Sequence, residues 1–497
     1  MAQNFQNFIA GKWMDAKSGK TFENRNPANW DEIVGIFPRS GKEDVDAAVS
    51  AARKAFEQWR LVPAPKRGDM LRKVGDLLTD RKEDLARQMT REMGKVLTET
   101  RGDVQEGIDT AYYAASEGRR LFGHTVPSEL PNKFNMSLRV PIGVAGIVTP
   151  WNFPMAIPTW KIFPALVCGN TIVFKPASDT PATATSLVEI LLEAGIPEGV
   201  VNIVHGGGGE VGMAIVGHPD VDLISFTGST GVGKKISEVA SATLKRVSLE
   251  LGGKNAQVVM DDANLDLALE GVLWGAFGTT GQRCTATSRL ILHERIHDTF
   301  LGMLARRVEA LRLGDGLLPT TDVGPLVNQG QLETVKSYVE IGLQQGAQVV
   351  TGGNIPKKKE LEHGWFYAPT IFAGVTPEHR IAKEEIFGPV LSVLKAKSLD
   401  DAVQILNNTI YGLSSSIYTR SVDNAFRAIR DMKAGITYIN APTIGAEAHM
   451  PFGGVKQTGN GHREGGWTVY DFFSEWKTVY VDYSGGLQRA QIDNYQS

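Results

Sequence analysis

The sequence predicts an α/β protein built on a parallel sheet of the dinucleotide-binding type. Three observations carry this expectation: short β-branched runs separated by helix-length stretches, a glycine-rich turn joining one such run to a helical stretch, and a length of 497 residues, too great for one small core. Residues 42–118 read as helices, because apolar positions recur at three- and four-residue spacing among charges, as in Val45-Ala48-Val49-Ala52. From Val140 the texture changes. Gly143–Val148 is a strand ending in Thr149-Pro150, and Thr171–Phe174 is another, ending at Lys175-Pro176. Helix-like Thr183–Ala194 leads to strands at Val200–Val204 and Val221–Phe226. A second α/β series starts near Gly253, with strands at Asn255–Met260, Ser288–Leu292 and Ala347–Thr351. Trp476–Val481 alternates as a late strand that can pair outside its own domain.

Composition narrows the function classes. Hydrophobic content of 42% and charged content of 22% are those of an ordinary soluble globular protein. A formal net charge of −3 gives no electrostatic reason for a nucleic-acid or anionic-membrane partner. The two cysteines, Cys168 and Cys284, supply no disulfide framework, so a reducing cytoplasm is the expected setting. The start, Met1-Ala2-Gln3-Asn4-Phe5-Gln6, lacks the pattern of a secretory signal. No run approaches the ~18 apolar residues that a membrane span requires.

Cys284 lies in Gly281-Gln282-Arg283-Cys284-Thr285-Ala286, and Glu250 in Glu250-Leu251-Gly252-Gly253-Lys254. A thiol and a carboxylate set among small residues suit covalent catalysis through a thioester: the thiolate attacks a carbonyl carbon, and the carboxylate activates the water that releases the acyl group. On these fragments alone, a buried small hydrophobe beside an unrelated surface acid fits equally well. The turn Thr227-Gly228-Ser229-Thr230-Gly231-Val232-Gly233 follows the Val221–Phe226 strand and precedes helix-like Lys234–Leu244. Glycines there allow a pyrophosphate to approach the helix N-terminus, although the spacing is not G-x-G-x-x-G and no acidic residue follows to hold a ribose. His293-Glu294-Arg295-Ile296-His297 matches a two-histidine zinc signature, which needs a single helix. Here His293 ends a strand and Asp298 reads as the cap of a helix over Thr299–Arg306, so no metal site is expected. Cys168, within Ala165-Leu166-Val167-Cys168, reads as core.

With these residues in hand, Thr149-Pro150-Trp151-Asn152-Phe153-Pro154, Phe174-Lys175-Pro176-Ala177-Ser178, Glu384-Glu385-Ile386-Phe387-Gly388-Pro389 and Pro451-Phe452-Gly453-Gly454 complete a set that resembles the aldehyde dehydrogenase superfamily over nearly the whole chain. The resemblance implies a Rossmann-like NAD(P)-binding domain over 1–121 and 142–252, an α/β catalytic domain over 253–452, and a small β oligomerisation domain from 122–141 and 468–497. It implies Cys284 as nucleophile, Glu250 as general base, and Asn152 with the Cys284 backbone N–H as oxyanion hole. Cofactor contacts would come from Thr149, Pro150, Trp151, Lys175, Ser178, Gly228, Ser229, Glu385 and Phe387. Phe153, Trp160, Arg283 and Phe452 would line the substrate tunnel. The implied cofactor is NADP or NAD, since Ser178 stands where strict NAD users often carry glutamate. The implied partners are a small-molecule aldehyde and further copies of the chain, as a homodimer or homotetramer.

Arg283, Asn440–Glu447 and Val104-Gln105-Glu106 are similar to the branch that oxidises α-aminoadipic semialdehyde, where a glutamate meets the substrate's amino group. Lys175-Pro176-Ala177-Ser178 and Thr285-Ala286-Thr287-Ser288 are similar to bacterial α-ketoglutaric and succinic semialdehyde dehydrogenases. Both imply a carboxylate at the far end of the aldehyde. Arg283 could grip that carboxylate, sit in a structural ion pair, or lower the thiol pKa. The alternatives on the same fold are a CoA-acylating enzyme, which Glu250 argues against, and a catalytically silent binding protein.

Overall fold

The computed structural model describes residues 2–493; Met1 and residues 494–497, the ends of the first and last segments named above, lie outside the described residues. Its centre is two seven-stranded sheets. In the first, Arg246–Glu250, Leu223–Thr227, Val144–Val148, Thr171–Lys175 and Val201–Ile203 run parallel in that spatial order. Asn7–Ile9 and Lys12–Met14 extend it antiparallel. The parallel strands are nearly continuous apolar runs because helices cover both faces. Strand order reverses between Val144–Val148 and Leu223–Thr227, which makes this the topological switch point of the sheet.

In the second sheet, Thr370–Ala373, Val390–Ala396, Thr287–His293, Asn255–Val259, Ser414–Tyr418 and Ile436–Ile439 are parallel, with Gln348–Thr351 antiparallel at one edge. A third, three-stranded sheet joins Thr125–Pro127, Lys133–Pro141 and Ser474–Asp482. The late strand thus pairs with an excursion more than 330 residues upstream, in register from Ser474↔Pro141 to Asp482↔Lys133. A fourth sheet, Gln3–Asn4, Asn29–Pro38 and Thr21–Asn26, lies where the sequence shows no regular apolar alternation.

The helical block is Lys42–Trp59, Ala64–Asp80, Lys82–Met93 and Leu97–Glu117. Val45, Ala48, Val49 and Ala52 are fully buried, as their spacing requires. Within this block Lys95 pairs with Asp103 at 2.8 Å with neither side chain exposed, and Asp103 also accepts from the Ala156 N–H at the start of the Ala156–Cys168 helix. That charge pair ties the helical block to the helix beneath the site. Among the described residues no helix is long and apolar enough to cross a membrane.

Two of the boundaries that differ from the expectation bear on motifs read in the sequence. The helix after the glycine turn spans Thr230–Ser241 rather than starting at Lys234, because Ser229 caps it by accepting from Val232 N–H at 3.4 Å. Gly231 and Gly233 are therefore helical, and a side chain at Gly233 would run into Leu251, so this glycine lets the helix lie close to the sheet. The other helix begins at His297, not Thr299, and Asp298 stands in its first turn.

Candidate active site

The loops leaving Val144–Val148 and Leu223–Thr227 diverge at the switch point and open a cleft of about 230 Å³. Pro150, Trp151, Asn152, Gly228, Ser229, Cys284, Glu385 and Phe387 line it. Glu385 accepts from the Gly253 N–H at 2.9 Å, and burial pushes its carboxyl up to about 7. Phe387 has a φ of 58° and meets the Trp151 ring edge-on at 5.3 Å. A helix N-terminus beside a carboxylate matches the pyrophosphate and ribose of a dinucleotide. The open space above Gly231 leaves room for it.

Thr149, Lys175 and Ser178 do not line this cleft. Thr149 donates its N–H to the Lys175 carbonyl at 3.2 Å, so both sit at adjoining strand ends of the same sheet edge. Lys175 is buried, donates to the Pro176 carbonyl at 2.5 Å, and is pulled down to about 8 by burial, with Asp179 opposing. The Ser178 hydroxyl donates to the Gly206 carbonyl at 3.1 Å. Gln331 also lines the cleft and donates to the Ile386 and Phe387 carbonyls at 3.0 and 2.8 Å. Nothing in its local sequence marks it.

A second cavity, about 270 Å³, opens on the other side of Cys284. Phe153, Trp160, Arg283 and Phe452 line it together with Glu99, Asp103, Glu106, Trp274, Gly445 and Ala446. The Trp160 and Phe452 rings lie 4.8 Å apart. Among the described residues only Cys284 and Ile157 border both cavities. Cys284 is partly exposed, which removes the reading of it as core; Cys168, at 3% exposure, is core.

The thiol is pushed up to about 12 by burial, then by the charges of Glu385 and Glu250. Arg283 does not lower it: its Nη2 pairs with Glu99 at 3.1 Å, its Nε donates to Thr279 Oγ1 at 2.9 Å, and the acids dominate at the sulfur. Nη1 has no partner among the described residues. Glu250 ends its strand at 4% exposure, not on the surface, and neither carboxylate oxygen has a partner among the described residues. Burial and then Glu464 drive its pKa well up, while Lys161 and Arg463 oppose. Lys161 and Glu464 are themselves a buried pair at 2.6 Å. Asn152 is buried and donates from Nδ2 to the Gln282 carbonyl at 3.1 Å, two residues before the thiol. Glu106 is half-buried in the second cavity, its buried Oε1 lacks a partner among the described residues, and desolvation raises its carboxyl to about 8.

His293 and His297 straddle a strand-to-helix turn, and among the described residues no cluster of three or more His, Cys, Asp or Glu could hold a metal.

Because Glu385 destabilises the thiolate, Glu385→Gln lowers the Cys284 pKa. Alkylation of Cys284 by iodoacetamide at pH 8 then accelerates about 3- to 10-fold, the thiolate gain for half to one pKa unit. An unchanged rate, with the adduct mapped by mass to Cys284, would show that the sulfur does not feel that charge.

The aldehyde dehydrogenase family profile matches residues 13–479. The α-ketoglutaric semialdehyde dehydrogenase of Bacillus subtilis (strain 168) is 42% identical over 477 residues, covering 96% of this chain and 98% of the relative. The 2,5-dioxopentanoate dehydrogenase of Saccharolobus solfataricus is 42% identical over 475 residues, covering 95% and 98%. A crystal structure of betaine aldehyde dehydrogenase from Staphylococcus aureus in complex with NAD+ superposes with a TM-score of 0.95 at 34% identity, covering 97% of this chain and 96% of that one. The chain belongs to the aldehyde dehydrogenase family and is an NAD(P)-dependent, aldehyde-oxidising enzyme.

Proposed function

We propose that the enzyme converts a carboxylate-bearing semialdehyde to the acid through a thioester on Cys284. The observation that carries this is the placement of one partly exposed thiol at the junction of two cavities, one shaped for a dinucleotide and one lined by aromatic rings and Arg283. The Cys284 thiolate adds to the aldehyde carbon, and the resulting oxyanion takes hydrogen bonds from Asn152 Nδ2 and the Cys284 N–H. A bound nicotinamide would supply the acceptor for the hydride lost when the thiohemiacetal becomes a thioester. Trp151, Gly228, Ser229, Glu385 and Phe387 would hold the cofactor, Ser229 at the pyrophosphate and Glu385 at the nicotinamide ribose, with Thr149, Pro150 and Ser178 along its course and Lys175 at the adenosine ribose. Ser178 is neutral and repels no 2′-phosphate, so NADP and NAD both serve. Glu250 then takes a proton from the water that hydrolyses the thioester. Its unpartnered, raised carboxyl suits a base, and a base at this point favours hydrolysis over transfer to CoA.

Residues 1–121 and 142–252 form the cofactor domain in this reading, and 253–452 the catalytic domain. The segments 122–141 and 468–497 form the oligomerisation domain of a homodimer or homotetramer in the cytoplasm. Trp476, Tyr480 and Val481 are exposed on an edge strand, a hazard for a monomer unless another copy covers it. Truncation before Ser474 lowers solubility and removes the oligomer by size-exclusion chromatography with light scattering; a soluble, active monomer would end the assembly proposal.

Glu250→Gln retains hydride transfer and stalls at hydrolysis. The readout is a burst of NAD(P)H at 340 nm, then slow turnover with acylated enzyme visible by mass; absence of both burst and adduct would remove Glu250 from this role.

The free Nη1 of Arg283 suits one oxygen of a substrate carboxylate. Arg283→Met therefore lowers kcat/KM for carboxylated semialdehydes by about 1.5–3 kcal/mol more than it lowers that for propanal. An equal loss on both would mean that Arg283 serves the nucleophile rather than the substrate. The unpartnered Glu106 carboxyl favours a second reading, a semialdehyde that also bears an amino group, and comparison of amino and desamino substrates in the same assay separates the two.

A further inference from the structure

The Leu265–Phe277 helix must hand the chain to the Thr287–His293 strand through the turn that bears Cys284. That turn contains Thr279 at φ 53°, ψ 28° and Thr280 at φ 56°, ψ 34°. They are the only adjacent non-glycine residues with positive φ among the described residues. Left-handed backbone is unfavourable for β-branched residues, and persists only where the surroundings impose it. Gly281, at φ 68°, cannot widen the turn: a side chain there would meet the Gly388 carbonyl.

Glu99 lies in the first turn of the Leu97–Glu117 helix, 180 residues before Thr279. Both of its carboxylate oxygens accept from the Thr279 N–H, at 2.8 and 2.9 Å. One of them also accepts from Arg283 Nη2, and Arg283 Nε donates to Thr279 Oγ1, which closes a ring of three residues around the turn. The remaining holds are neutral. Thr280 Oγ1 donates to the Gly324 carbonyl at 2.9 Å, and Gln282 Oε1 accepts from the Val327 N–H at 3.0 Å. Among the described residues Glu99 is thus the acidic side chain that holds the N–H of the strained backbone, and its bond to Arg283 holds the residue directly before the thiol.

We propose that Glu99 is a positioning residue for the nucleophile: its carboxylate holds the left-handed Thr279–Thr280 turn and Arg283 in the arrangement that presents Cys284 to both cavities. This rests on Cys284 being the nucleophile. The inference also gives Arg283 a task beyond any grip on substrate, as the far side of the same clamp.

The test uses the full-length enzyme with cofactor and propanal, which has no carboxylate for Arg283. Glu99→Ala lowers both the burst rate of NAD(P)H and the rate of Cys284 alkylation about 10- to 100-fold, the effect of a small displacement of a reacting group. Cofactor affinity by fluorescence titration and the KM for propanal stay at wild-type values, a split that general destabilisation would not produce. Glu99→Gln keeps an oxygen for the Thr279 N–H and restores most of both rates. In a Thr279→Gly background, where glycine takes positive φ without strain, Glu99→Ala has a smaller effect. If Glu99→Ala does not fold, the Gln variant and the Thr279→Gly pair carry the test. Wild-type burst and alkylation in Glu99→Ala, or a Gln variant as slow as Ala, would overturn the proposal. Activity surviving in Cys284→Ala would instead overturn the nucleophile assignment, so the two failures are separable.

Discussion

The hydrogen bonds from Thr279 and Arg283 to Glu99 close the turn on which the rest of the site depends. Two threonines in left-handed backbone cost on the order of 1–3 kcal/mol each, and the turn cannot recover that locally. It does so through contacts with the Leu97–Glu117 helix, the Gly324–Val327 segment and, through the tight approach at Gly281, the Gly388 carbonyl. Each contact comes from a distant part of the chain, so the turn is held by the helical block and the loops around the second sheet together. The reward is geometric. The sulfur stands where the cavities meet instead of lying in either wall.

Charge burial is the second organising feature. Lys95–Asp103 and Lys161–Glu464 are paired, which compensates the desolvation of four ions. Glu250 and Glu106 are left with unpartnered oxygens, and Glu106 lines the second cavity. Their raised pKa values follow from that arrangement, since burial without a partner favours the neutral acid. A carboxyl held this way is a stronger base than a solvated one. The positive charges of Lys161 and Arg463 oppose that rise at Glu250.

Much of the architecture was legible. The strands at Val144–Val148, Thr171–Lys175 and Asn255–Val259 follow β-branched runs, and the helices from Lys42 onwards follow three- and four-residue spacing. The start of the Thr230–Ser241 helix was less so, because Gly231 and Gly233 look like loop residues until Ser229 is seen to cap the turn and Leu251 to require a bare backbone at 233. Gln331 and Glu99 carried no local sign at all. Each acts on a loop more than 50 residues away, and a side chain's long-range partner leaves no periodic trace in its own neighbourhood.

The sequence alone determined which chemical groups exist and in what local frame: the Cys284 thiol among small residues, the Glu250 carboxylate before two glycines, the glycine turn between strand and helix, and the aromatic and proline motifs around them. Those features depend on covalent order and short-range backbone preference, which the chain carries with it. Only the tertiary structure decided that Glu250 is buried and unpartnered, that Arg283 faces Glu99 rather than the sulfur, and that Lys175 and Ser178 stand apart from the cleft around Cys284. Desolvation and ion pairing are set by what surrounds a group in space, and here those neighbours come from segments as much as 303 residues distant, as Lys161 and Glu464 do.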